Sequence, residues 1–254
     1  MTIKSKQKLV VITRAIEDGV DFQLRLEKEG FKAYQIPAIR LARRKMTKPE
    51  IKLLANLDQF DLCIFTSRHS VFFFLEALLQ NDIPKEHLRK VKIAAVGEVT
   101  AESIREIGLQ VDSMPASFSN ADLAKELGDV AGKKILIPHS AVASRDLENT
   151  LTNNGAKVSI INLYTTIAEE SMEPEALQLL ESDTVGCLTF ASSSAVTGFV
   201  GLLRDAILLK KVLQIPVVCI GPSTALTAGQ KGFTSVHTAS VFTTDGIIET
   251  LKHI

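Results

Sequence analysis

The sequence predicts an α/β protein made of two similar Rossmann/flavodoxin-like domains, each built on a parallel sheet. Three observations predict it. Short continuous apolar runs alternate with helical patterns, as expected of parallel strands covered on both faces. The chain also repeats itself: residues 9–39 (LVVITRAIEDGVDFQLRLEKEGFKAYQIPAI) match residues 134–164 (KILIPHSAVASRDLENTLTNNGAKVSIINLY) at an offset of 125, with Gly30 on Gly155. Finally, the 254 residues are about twice a common domain length. A duplicated domain accounts for all three.

Each half carries the same units in the same order. The predicted strands are residues 9–12, 62–65 and 93–96, with 135–137, 187–190 and 217–220 as counterparts. The offset carries Pro49-Glu50 onto Pro174-Glu175 and Phe65 onto Phe190. It then slips by one, so that Gly97, Thr100 and Gly108 fall on Gly221, Thr224 and Gly232. The stretch from Val20 to Leu26 alternates like a strand when read alone. Its counterpart keeps Phe22 and Leu26 apolar, as Leu147 and Leu151, but replaces Leu24 by Asn149. The i, i+4 pair persists and the alternation does not, so this segment is predicted to be helical. Gly30 and Gly155 then fit its left-handed terminator, and Pro49 and Pro174 fit the first turn of a short helix.

Composition narrows the function. Lys and Arg together number 29, as do Asp and Glu. That balance lacks the basic excess of a nucleic-acid-binding surface. It leaves room for an acidic small molecule, because backbone N–H groups also bind anions. Cys63, Cys187 and Cys219 each sit in an apolar run and read as buried core residues rather than a disulfide framework. The five histidines show no metal-ligand spacing. Met1–Lys8 is polar and no run is long enough to span a membrane, so the expected location is cytoplasmic. Two connectors differ in charge. Arg40, Arg43, Arg44, Lys45 and Lys48 lie in the first, and Glu169, Glu170, Glu173 and Glu175 in the second. Arg43, Arg44 and Lys45 are expected beside Glu169 and Glu170.

In an open parallel sheet, ligands bind beyond the carboxyl ends of the strands. The segments there are Thr13-Arg14, Thr66-Ser67-Arg68-His69, Gly97-Glu98-Val99-Thr100, Ser192-Ser193-Ser194 and Gly221-Pro222-Ser223-Thr224. Small residues permit the turn, hydroxyls sit at the next helix start, and free N–H groups favour an anion. Phosphate-loop, dinucleotide and nucleophile-elbow motifs are missing. The residues alone therefore point to a polar, anionic organic ligand. Candidate binding residues are Arg14, Thr66, Ser67, Gly97, Thr100, Ser192, Ser193, Gly221 and Thr224.

Taken together, these segments resemble the uroporphyrinogen-III synthase family. The matching pieces are Val11-Ile12-Thr13-Arg14, Phe65-Thr66-Ser67, and Ala95-Val96-Gly97 with Thr100-Ala101 and Gly108. They continue with Gly155-Ala156-Lys157-Val158, Leu163-Tyr164-Thr165-Thr166, Phe190-Ala191-Ser192-Ser193-Ser194, and Ile220-Gly221-Pro222-Ser223-Thr224-Ala225. The resemblance runs from about residue 9 to 251 and departs at Ala191, where the second Phe-Thr-Ser pattern has lost its Thr, and at Arg68-His69, a stretch that varies in the family.

The resemblance implies an enzyme that closes hydroxymethylbilane to uroporphyrinogen III with inversion of ring D and loss of water, using no cofactor and no metal. Porphobilinogen deaminase would be the supplier of that substrate. The resemblance also implies two chain crossings: 1–38 with 168–254 would form one domain and 42–163 the other, joined by linkers at 39–41 and 164–167. Tyr164 would lie on the floor of the cleft between them and assist departure of the hydroxyl. The competing reading is a two-lobed cytoplasmic sensor or binding module without chemistry, which turnover of hydroxymethylbilane would exclude.

Overall fold

A computed structural model describes residues 9–115, 123 and 126–254. The Met1–Lys8 segment read above lies outside the described residues. Ten strands are described: β1 (Leu9–Ile12), β2 (Lys32–Gln35), β3 (Ile39–Arg43), β4 (Leu62–Phe65), β5 (Lys92–Ala95), β6 (Lys134–Ser140), β7 (Lys157–Ala168), β8 (Val185–Phe190), β9 (Val217–Cys219) and β10 (Val236–Thr238). They form two five-stranded sheets, ordered β10-β9-β8-β1-β2 and β3-β7-β6-β4-β5. Strands at equivalent repeat positions hold equivalent places. β1, β2 and β8 in the first sheet correspond to β6, β7 and β4 in the second, and β9 corresponds to β5.

Contacts divide the chain into two units, Met1–Leu41 with Thr166–Ile254, and Ala42–Thr165. Residues 39–41 and 164–167, expected as plain linkers, lie inside β3 and β7. The flanking backbone bonds run from Arg44 N to Leu163 O and from Glu169 N to Ala38 O. Residue numbers rise along one strand as they fall along the other, so this edge pair is antiparallel, whereas β6 pairs with both β4 and β7 in parallel. An antiparallel edge on a parallel sheet is a common arrangement in larger sheets.

The first sheet is covered on both faces, and β1 shows how its sequence achieves that. Val11 packs into a cluster with Leu188, Phe190 and Phe199. Val10 and Ile12 point the other way, into a cluster with Phe22, Leu26 and Ile247. Alternation with period 2 therefore feeds two cores from one all-apolar run, and each fully buried aliphatic or Phe side chain contributes about 1.5–3 kcal/mol. In the second unit Ile135, Ile137, Leu147 and Leu151 share one core. The ambiguous segment is helical, within Ile16–Lys28, and it buries Phe22 and Leu26. Gly30 and Gly155 both have φ +85, the left-handed value their terminator role requires. Among the described residues no helix is long and apolar enough to cross a membrane.

The charged connectors pair differently from expectation. Arg40, not the Arg43–Lys45 group, meets the acidic connector, with Nε 3.4 Å from Glu169 and Nη2 3.9 Å from Glu170. Arg43 turns to Glu76 at 2.6 Å and Arg44 to Glu50 at 2.9 Å, because helices of their own unit supply nearer carboxylates.

One close approach is testable. A Cβ on Gly198, in the helix Ser193–Leu202, would lie 2.4 Å from the Ala38 carbonyl oxygen, which also accepts from Glu169 N. Gly201, in the same helix, has nothing within 4 Å of such a Cβ. In thermal or denaturant unfolding, Gly198→Ala should cost about 1–3 kcal/mol. Gly201→Ala should be neutral or stabilising by up to about 1 kcal/mol. Equal effects at the two positions would contradict the packing described.

Candidate functional site

In the Ala42–Thr165 unit the site is built on Ser67, the N-cap of the helix Arg68–Gln80. Ser67 adopts an extended conformation and its Oγ accepts from Ser70 N at 3.1 Å. Ser70 returns the bond, its Oγ accepting from Ser67 N at 3.3 Å and donating to Ser67 O at 2.6 Å. This reciprocal box locks the helix start, a contribution of about 1 kcal/mol. It also fixes the direction of the Ser67 hydroxyl, which meets the Tyr164 phenol at 3.1 Å.

Tyr164 reaches that place through an irregularity in β7. The register pairs His139 with Asn162 but Ser140 with Tyr164, so β7 carries one extra residue, Leu163. A bulge of this kind re-aims the side chains beyond it. The ring is only 6% exposed. It stacks on Phe73 at 4.6 Å and an interplanar angle of 15°, and meets His69 edge-on at 6.3 Å. His69 and Phe73 are one helical turn apart on one face, so a single helix supplies the cap, the stacking ring and the edge contact. Ser70 and Phe73 were missed by sequence reasoning; their signal was the i+3 and i+6 spacing from the Ser67 cap.

The other predicted residues of this unit lie at neighbouring strand ends. Thr66 follows β4 and is partly buried. Gly97 is the extended N-cap of the helix Glu98–Glu106, with no side chain to satisfy the first N–H groups. Thr100, in the first turn, is 6% exposed, which leaves contact with a ligand mainly to the backbone there.

The Met1–Leu41 and Thr166–Ile254 unit repeats this plan. Ser192 caps the helix Ser193–Leu202, accepting from Ala195 N at 3.2 Å, and its φ and ψ of −161 and 156 almost equal the −159 and 156 of Ser67. Gly221 caps the helix Pro222–Gln230 without a side-chain bond, and Thr224 is buried in its first turn. Ser193 Oγ donates to Ser223 O at 3.2 Å, tying the two helix starts together. The Thr13 hydroxyl donates to Thr189 O at 2.7 Å, and that of Thr189 donates to Val11 O at 2.9 Å, so the end of β1 is held rigidly against β8. Arg14 is the next residue. Its guanidinium lies 4.8 Å from the Phe22 ring centroid and donates to Thr244 at 3.0 Å. Its Nε is buried with no hydrogen-bond partner. Burial lowers its pKa, with Asp18 opposing. The repeat places His139 at the position equivalent to Arg14.

Burial pushes the thiols of Cys63 and Cys187 up strongly and that of Cys219 to about 12, which leaves all three as protonated core groups at neutral pH. Among the described residues no cluster of three or more His, Cys, Asp or Glu is placed to hold a metal.

Comparison with known proteins decides the family. The sequence profile described as "Uroporphyrinogen-III synthase HemD" matches residues 20–249. The chain belongs to this family. Among relatives of the uroporphyrinogen-III synthase family, it is 28% identical over 250 residues to the chloroplastic uroporphyrinogen-III synthase of Oryza sativa subsp. japonica, covering 95% of this chain and 79% of that protein. It is 26% identical over 247 residues to the "Porphyrin biosynthesis protein HemD" of Ruminiclostridium josui, where it covers 96% of this chain but spans about half, 48%, of the relative. A solved uroporphyrinogen-III synthetase from Helicobacter pylori 26695 shares the fold at a TM-score of 0.61 and 16% identity, covering 96% of this chain and 97% of that one. A mutant uroporphyrinogen III synthase from Thermus thermophilus does so at a TM-score of 0.55 and 19% identity, with 96% of each chain covered.

The buried His139 gives the Ala42–Thr165 unit a pH dependence. Burial lowers its pKa from the usual value, Arg145 lowers it further, and Glu148 opposes. The unfolded chain therefore binds the proton more readily than the folded one. Stability is fully present above about pH 6.5, the unfolded value, and is lost as pH falls toward the lower folded pKa. Denaturant midpoints at pH 7.5 and 5.5 should separate for the wild type, and the separation should shrink in His139→Gln. An undiminished separation in the variant would assign the effect elsewhere.

Proposed function

We propose that this chain works as its family does, closing hydroxymethylbilane to uroporphyrinogen III with inversion of ring D in tetrapyrrole biosynthesis. The family match over residues 20–249 carries this reading. The geometry supports a division of labour among the residues. A substrate with carboxylates on every ring suits strand-end amides, above all at Gly97 and Gly221, whose helix starts have no side-chain cap. Arg14, Thr66, Ser67, Thr100, Ser192, Ser193 and Thr224 are our candidates around them.

Tyr164 is our candidate catalytic group. The reaction opens by breaking the bond between the hydroxymethyl carbon and its oxygen. The pyrrole nitrogen pushes electrons toward that carbon while the bonding pair leaves on oxygen. A phenol that donates its proton to the departing oxygen lets it leave as water. The Ser67 hydroxyl, 3.1 Å from the phenol, would steady it for that task. Closure from the substituted position of ring D then depends mainly on how the chain is held, which is catalysis by orientation. We also infer that porphobilinogen deaminase supplies the substrate and that the chain works in the cytoplasm. The three free, buried cysteines are consistent with a reducing compartment.

The test is a coupled assay in which porphobilinogen deaminase supplies hydroxymethylbilane and the oxidised products are separated into isomers I and III. Spontaneous closure gives isomer I. Wild-type protein should yield III, and its failure to do so would remove the proposal. Tyr164→Phe keeps the stacked ring and should slow formation of III by roughly tenfold to a few hundredfold, about 1.4–3.4 kcal/mol, with isomer I rising. Unchanged turnover and isomer ratio would reduce Tyr164 to a packing role.

A further inference from the structure

Phe73 also lines a second feature of the Ala42–Thr165 unit. A cavity of about 490 Å³ is lined by Phe73, Ile51 and Leu163 and by Arg43, Arg44 and Lys45, with the polar Gln80 and Asn81 also in its wall. That volume lies within the range of sites for small organic ligands.

The cations in the lining are unevenly compensated. Arg43 is held by Glu76, and Arg44 by both oxygens of Glu50 and by Asn162 O. Lys45 is exposed and has no ion pair among the described residues. The lining therefore combines apolar side chains with two arginines oriented by neighbours and one lysine that has no ion pair among the described residues. An inorganic anion would use the cations alone. A ring or short chain bearing a carboxylate would use both kinds of lining, burying apolar surface while its charge meets the cations.

We propose that this cavity is a binding site for an aromatic or pyrrolic carboxylate, anchored on Lys45 with its ring against Phe73. Since Phe73 also stacks on Tyr164, an occupant presses on the ring that positions the phenol. Two sources carry this chemistry, one ring arm of the substrate or a separate acidic ligand. The first of these alternatives rests on the function proposed above.

The probe is 3-phenylpropanoate, with 3-phenylpropan-1-ol as its uncharged match. The full chain, carrying 13C-methyl labels on Met46 and Ile51, is titrated with each. The acid should shift both methyl signals with a dissociation constant on the order of millimolar, and the alcohol should bind more weakly. Lys45→Gln, a change at an exposed position, should weaken the acid about two- to fivefold and leave the alcohol unchanged. Methyl signals that do not move, that move equally with both compounds, or that ignore Lys45→Gln would overturn the proposal. Turnover distinguishes the sources. A raised KM for hydroxymethylbilane in Lys45→Gln identifies a substrate arm, and an unchanged KM with weakened acid binding identifies a separate ligand. The titration needs no turnover, so an inactive enzyme would leave this result readable.

Discussion

The contact between the Ser67 hydroxyl and the Tyr164 phenol is the point on which the candidate chemistry depends. It joins a helix start to a strand, and each side is fixed by its own local device. The reciprocal Ser67–Ser70 box sets the hydroxyl, and the extra residue in β7 places Tyr164 opposite Ser140. Phe73 then holds the ring flat. A phenol so buried and stacked loses little entropy when a substrate arrives, which is the condition for a positioned proton donor.

Under the proposed function, the two units would bind anions by the same physical means. Each has one helix started by a serine and one started by a glycine, with the four caps in extended conformations. A serine cap satisfies one of its own helix's N–H groups, whereas a glycine cap leaves them to the ligand. A protein with no net charge can thus receive a polyanion. The equivalent positions Arg14 and His139 add a difference in kind. Both are at least partly buried and each has a nitrogen without a partner, Nε in one and Nε2 in the other. Burial lowers the pKa of both, opposed by Asp18 at the arginine and by Glu148 at the histidine.

Much of the fold is legible in the sequence because its internal repeat supplies two noisy copies of one message. Comparing Leu24 with Asn149 settles a segment that either copy leaves open, and the strands at 9–12 and 62–65 match their predicted bounds. β2, β3, β7 and β10 were not predicted. β2 is four residues, Lys32–Gln35, in which no residue is fully buried, so it lacks the apolar run that marked the others. β3 is rich in arginine and sits at a sheet edge, where the partner strand rather than the side chains determines pairing. For the site, the hydroxyls and glycines at strand ends were legible from turn and cap chemistry. The bulge that aims Tyr164 was not, since an extra residue in a strand has no compositional mark. The partners of Arg43 and Arg44 were equally hidden, because long side chains choose among carboxylates by distance.

The central claim, that the phenol acts through its contact with Ser67, is tested most directly by a double-mutant cycle read in single turnovers with enzyme in excess. Ser67→Gly removes the hydroxyl yet keeps an acceptable N-cap, at a cost of a few tenths of a kcal/mol. Combined with Tyr164→Phe, it should slow formation of isomer III hardly more than Tyr164→Phe alone, because the two groups work as one, with a coupling of about 0.5–3 kcal/mol. Rate losses that simply multiply would contradict the account.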